Sequence, residues 1–136
     1  MPRPTRVLIA DDDDSFREVL ASIISEMPGV ELVGEARNGQ EMLALAAVVR
    51  PDIVLTDVNM PIVDGIAATR LLKAMPNPPM VVVSSCDSGP ETRAAALAAG
   101  ADAFIRKRET YVRVTSIVVP WQQRDVTAPA TLVVET

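Results

Sequence analysis

Five short aliphatic runs, separated by stretches of helical spacing, limit what this chain can fold into. The runs are Thr5–Ala10, Val30–Ala36, Asp52–Asp57, Met80–Ser84 and Ala103–Ile105. After the first, Phe16, Val19, Leu20, Ile23, Ile24 and Met27 recur at helical spacing; Asp13 or Asp14 can cap the start and Pro28-Gly29 ends it. Asn38 with Glu41 three residues on reads as a capping-box variant opening a second helix, with Met42, Leu45, Ala46 and Val49 on its apolar face. A third helix is predicted from about Asp64 to Met75, and a fourth from Pro90 to Ala99, stopped by Gly100. Strict β-α alternation implies a parallel sheet with helices on both faces, and right-handed crossovers leave doubly wound arrangements. Composition agrees: 49% of residues are hydrophobic but only 3% aromatic, the aliphatic bias of strands buried on both faces.

The same numbers exclude several functions. A net charge of −5 argues against a nucleic-acid surface, which is built from Lys and Arg. Cys86 is the only cysteine, so no intrachain disulfide forms, and the lack of histidine removes any His-ligated metal site. No apolar signal segment precedes the first strand, and no apolar run approaches the roughly 18 residues of a membrane span. The expectation is a cytoplasmic protein that does not engage a membrane.

Ligands of open α/β sheets bind beyond the carboxyl ends of the strands. Here those ends carry Asp11 and Asp12 after the first strand, Asp57 after the third, Ser84 after the fourth and Lys107 after the fifth. Asp13 and Asp14 are assigned to capping. Three carboxylates brought together repel, and a divalent cation relieves the repulsion. An all-oxygen donor set without His or Cys suits Mg²⁺. One carboxylate could then attack phosphorus while the cation and a lysine neutralise the equatorial oxygens.

Val7-Leu-Ile-Ala-Asp-Asp12, Leu55-Thr-Asp57-Val-Asn-Met-Pro61 with Asp64-Gly65, Val83-Ser84, and Gly100-Ala-Asp-Ala-Phe-Ile-Arg-Lys107 succeed one another at telling spacings. From Arg6 through Lys107 the chain resembles the receiver domain of two-component response regulators. The resemblance implies a flavodoxin-like sheet of order 2-1-3-4-5 and a phosphoacceptor, Asp57, served by a partner histidine kinase. It implies that Asp12 ligates Mg²⁺ directly, Asp11 mainly through water, and Asn59 through its backbone carbonyl. Ser84 stands where the family has its switch Thr or Ser, Phe104 where it has a switch aromatic, and Lys107 where it has its phosphate-binding lysine. Such a protein catalyses its own phosphorylation and dephosphorylation; it is a switch, not an enzyme with turnover, and signals to a downstream protein effector. Phe16-Arg-Glu18 is most similar to regulators that carry a C-terminal helix-turn-helix.

The family places a helix after Lys107, yet Tyr111-Val-Arg-Val-Thr-Ser-Ile-Val-Val119 is rich in β-branched residues, and Pro120 and Pro129 interrupt the C-terminal stretch. Residues 1–109 are therefore read as the receiver domain and 110–136 as an atypical tail, an altered last helix or, by a small margin, an extended arm. Thr131 to Glu135 also reads as extended. An arm would leave apolar faces on helices one and four for a second subunit to cover in a homodimer. Alternatives are a docking module that keeps the fold without the switch, and a DNA-binding regulator truncated before its output module. A haloacid-dehalogenase-type phosphatase is disfavoured because its D-x-D belongs on the first strand. A nucleotide-binding module is disfavoured because no glycine-rich phosphate loop succeeds strand one.

Overall fold

The computed structural model describes residues 3–87 and 89–123. Five parallel strands, β1 (Thr5–Ala10), β2 (Val30–Ala36), β3 (Ile53–Asp57), β4 (Met80–Ser85) and β5 (Ala103–Arg106), form one sheet in the order β2-β1-β3-β4-β5. Helices α1 (Asp14–Ser25), α2 (Gly39–Val49), α3 (Gly65–Lys73), α4 (Pro90–Ala98) and α5 (Thr110–Gln123) cover it, and Lys107–Glu109 makes a 3-10 turn between β5 and α5. This is the doubly wound arrangement expected from the alternation, with β2 and β5 at the edges.

Side chains alternate across a strand, and two apolar layers result. On one face Leu8, Ala10, Val54, Val81, Val83 and Phe104 meet α2, α3 and α4 through Met42, Ala46, Ala68, Leu72 and Ala96. On the other Val7, Ile9, Ile53, Leu55, Val82 and Ile105 meet Leu20 and Ile24 of α1 and the inner face of α5. The helix starts obey local chemistry. Asp13, Asn38 and Asp64 cap α1, α2 and α3 by accepting the N–H of Phe16, Glu41 and Ala67. Glu41 completes its box one residue earlier than in the standard motif, accepting the N–H of Arg37 at 2.9 Å.

Two glycines permit close backbone approaches near the carboxyl end of the sheet. A Cβ on Gly65 would overlap the carbonyl oxygen of Asp57, and one on Gly39 would overlap that of Val63. The Gly65 N–H donates to the Val58 carbonyl at 2.8 Å, so the start of α3 is pressed against the end of β3.

The segment after Lys107 corrects the preference for an extended arm: residues 110–123 are helical. Val114, Ile117, Val118 and Trp121 recur at i, i+3, i+4 and i+7, and all four are buried in the α1-side layer. Burying each such side chain is worth about 1.5–3 kcal/mol. The helical penalty of a β-branched residue is at most about 0.7 kcal/mol, so packing overrides propensity. Pro120 lies inside α5 on its exposed side. Gln122 donates to the carbonyls of Pro28 and Gly29, fixing the end of the helix beside the α1–β2 turn. With α5 against α1, the apolar face of α1 is covered within the chain, and a second subunit is not needed there. Residues 124–136, with Pro129 and the Thr131–Glu135 stretch expected to be extended, lie outside the described residues. No helix among the described residues is long and apolar enough to cross a membrane.

Urea unfolding of two α5 variants tests whether this helix is held by packing. Ile117→Ala should cost about 2–5 kcal/mol, whereas Val112→Ala, at a position 79% exposed, should stay within about 0.5 kcal/mol. Equal, small effects would mean that α5 is not packed on the sheet.

Candidate functional site

The residues at the ends of β1, β3, β4 and β5 share one parity. Asp11 continues Val7 and Ile9, Asp57 ends Ile53 and Leu55, Ser84 comes after Met80 and Val82, and Lys107 after Ala103 and Ile105. Because successive strand residues point to opposite faces, all four side chains emerge on the α1/α5 side at the carboxyl edge. Asp57 and Ser84 are register partners on adjacent strands.

The Lys107 ammonium joins the carboxylates. Its Nζ donates to Asp11 Oδ1 at 3.1 Å and to Asp57 Oδ2 at 3.3 Å, and lies 3.0 Å from Asp11 Oδ2, off the hydrogen-bond direction. Asp11 and Asp57 are buried while Asp12 is exposed, and the three offer oxygens all within 4.8 Å of one another. Asp11 Oδ1 also accepts the N–H of Asp13 at 2.9 Å. Asp57 Oδ1 is buried and has no hydrogen-bond partner among the described residues. Three carboxylates against one ammonium leave two negative charges, and an all-oxygen set in which two buried oxygens, Asp11 Oδ2 and Asp57 Oδ1, lack a hydrogen bond fits a hard divalent cation. Asn59 stands two residues beyond β3, exposed, in the loop that leads to α3.

The Ser84 hydroxyl is buried and donates to the Thr56 carbonyl at 3.5 Å, a marginal bond that leaves it available. Ser85, the neighbouring hydroxyl, has the opposite parity, and its Oγ accepts the N–H of Asp87 at 2.9 Å. Phe104 also faces away from the site, fully buried in the α2/α3/α4 layer. Cys86 is exposed beside Arg106, Lys107 and Arg108.

Two residues read in the sequence only as helix and motif positions, Phe16 and Arg17, border the site. The Phe16 ring lies 4.7 Å from the Lys107 ammonium and stacks on Tyr111, with centroids 4.9 Å apart. Arg17 is buried and donates to the backbone carbonyl of Asp11 at 2.8 Å. A signal was present for Arg17, which falls at i, i+3 and i+7 with Leu20 and Ile24: a cation on an apolar helix face needs buried partners.

Residues 7–118 match the response regulator receiver domain family. The chain belongs to this family. Among curated receiver-containing relatives, it is 41% identical over 108 residues to a protein-glutamate methylesterase/protein-glutamine glutaminase of Methanospirillum hungatei, and 40% identical over 104 residues to one of Alkalilimnicola ehrlichii. These matches cover 78% and 76% of this chain but only 31% and 27% of the relatives. The chain thus spans under a third of their length. Among solved structures, the receiver domain of NarL from Mycobacterium tuberculosis superposes with a TM-score of 0.84 at 31% identity, covering 90% of this chain and all of that one. The receiver domain of CheB from Thermotoga maritima gives 0.80 at 29%, covering 90% of this chain and 99% of that one.

Electrostatics in this receiver site result from crowding. Burial, then the neighbouring charge of Asp11, holds the Asp57 carboxyl above its ordinary value, and burial raises Asp11 as well. Burial alone would lower Lys107, but its hydrogen bond to Asp11 and the charges of Asp57 and Asp11 outweigh that and raise it. A carboxyl with a raised folded-state pKa binds its proton more tightly in the folded chain. Stability therefore falls as pH climbs from the ordinary carboxyl value of about 3.9 through the raised one, and the penalty is complete above it. The Lys107 contribution has the other sign and is lost only in the alkaline range, as pH rises through its raised value.

Without divalent cations, Asp57→Asn should therefore raise the melting temperature at pH 7 by a few degrees, with the gain shrinking toward pH 4. A lower melting temperature at pH 7 would show that the Lys107–Asp57 attraction exceeds the cost of crowding the carboxylates.

Proposed function

We propose that this receiver domain is a phosphorylation switch: Asp57 accepts a phosphoryl group from the phosphohistidine of a histidine kinase, with Mg²⁺ held by Asp12, Asp57 and the backbone carbonyl of Asn59, and by Asp11 mainly through water. The observation that carries the reading is the convergence of three carboxylates within 4.8 Å of one another, two of them, Asp11 and Asp57, held by one lysine ammonium. A bound Mg²⁺ supplies positive charge against the carboxylates and the phosphoryl oxygens.

The chain's own groups do the rest. A carboxylate oxygen of Asp57 attacks phosphorus; the new P–O bond forms as the P–N bond of the donor breaks, and the electron pair leaves with the imidazole. Lys107 is already on Asp57 Oδ2 and stabilises charge on the transferred group without a long movement. Ser84, on the register-paired strand, can turn its hydroxyl from the Thr56 carbonyl to a phosphoryl oxygen. Withdrawal of that hydroxyl at the end of β4 alters the packing beside β5, where Phe104 is the candidate switch aromatic.

The output is assigned to protein–protein contacts with a downstream effector, and the domain itself to signalling without turnover. The methylesterase names of relatives at 40–41% identity favour a second reading of the output alone, in which a receiver of this type governs an enzymatic module.

Incubation with acetyl phosphate and Mg²⁺, then intact mass measurement, should show one added phosphoryl group. The adduct should vanish with chelator and in Asp57→Asn, and Lys107→Ala should slow its formation about 10²-fold. An adduct that persists in Asp57→Asn contradicts the assignment, and no adduct at all favours a docking module.

A further inference from the structure

We infer that Arg17 is a positioning residue for the cation site: it fixes the peptide that carries Asp12, and so sets the affinity for a divalent cation. The inference rests on the phosphoacceptor reading of Asp57. Only 9% of the Arg17 side chain is exposed, and it reaches three separate pieces of the chain. Nη1 donates to the Asp11 carbonyl at 2.8 Å, Nη2 to Asp14 Oδ1 at 2.6 Å and Nε to Glu35 Oε1 at 3.2 Å. The end of β1, the first turn of α1 and the end of β2 are thereby tied through one planar fork.

The Asp11 contact bears on the site. The Asp11 N–H is already fixed to the Ala36 carbonyl at 2.9 Å, and its carboxylate is fixed by Lys107 and the Asp13 N–H. Arg17 takes the carbonyl, the remaining polar group of that residue and the first half of the Asp11–Asp12 peptide. Among the described residues, no hydrogen bond holds the Asp12 carboxylate, so its direction depends on that peptide. A buried guanidinium on a backbone carbonyl is costly unless the geometry is good. Here its charge is met by Asp14 and Glu35, which accept from the two nitrogens not used on Asp11.

Positioning and plain electrostatics differ in sign. Coulomb's law alone predicts that deleting a cation beside a cation site tightens Mg²⁺ binding. A positioning role predicts the reverse. Mg²⁺ titrated into the full chain by calorimetry should bind about 10- to 100-fold more weakly to Arg17→Met, which keeps the apolar stem, and Arg17→Lys should recover part of the loss. Glu35→Gln, which leaves the Asp11 contact in place, should lower the melting temperature while leaving the Mg²⁺ affinity within about twofold. Unchanged or tighter binding in folded Arg17→Met overturns the inference, as does equal weakening in Glu35→Gln. If the unaltered chain binds no Mg²⁺, the cation site itself falls, and the role of Arg17 with it.

Discussion

The structure turns on one ammonium placed between two buried carboxylates. Asp11 and Asp57 come from strands far apart in the chain, and both lose solvation where they stand. Two ionised groups crowded in that way repel unless a cation lies between them, and Lys107 is that cation at 3.0–3.3 Å. Its own burial is tolerable for the reciprocal reason. The arrangement remains short of positive charge once Asp12 is included, and that shortfall is what the proposed divalent cation would make good.

Topology makes the meeting possible. In the order β2-β1-β3-β4-β5, β1 and β3 are hydrogen-bonded neighbours although α1, β2 and α2 separate them in sequence. The crevice beyond their carboxyl ends is where the strand order reverses. Parity then decides which residues face it. Asp11, Asp57, Ser84 and Lys107 point to the α1/α5 side, whereas Phe104 points to the other layer. The charged cluster on one side and the Phe104 packing on the other are thus separated by a sheet only one strand thick. The close approaches at Gly65 and Gly39 hold the loop after Asp57 against α2 and α3, so Asp57 sits on backbone with little room to relax.

How legible this was in the sequence depended on the signal. The strand-end carboxylates and Lys107 stood out because a charged residue closing a buried β-branched run adds nothing to the core, and five such runs in alternation allow few topologies. The caps of α1 and α2 were readable because Asp13 or Asp14, and Asn38, can satisfy local N–H groups; Asp64 was read only as the start of the third helix, and the structure makes it the cap of α3. The last helix was misjudged because local composition spoke for a strand, while the i, i+3, i+4, i+7 spacing of Val114, Ile117, Val118 and Trp121 spoke for a helix; burial decided between them. Phe16 and Arg17 were passed over because their partners, Lys107 and the Asp11 carbonyl, depend on how α1 docks on β1 and β5. No local pattern records that docking, beyond the oddity of an arginine on an apolar helix face.

A crystal structure of the protein grown with Mg²⁺ would test the convergence of these carboxylates most directly. One ion should bind oxygens of Asp12, Asp57 and the Asn59 carbonyl at about 2.0–2.1 Å, with Lys107 still beside Asp57. An ion bound elsewhere, or none at that cluster at millimolar Mg²⁺, would contradict the claim that the carboxylates converge to hold a metal and receive a phosphoryl group.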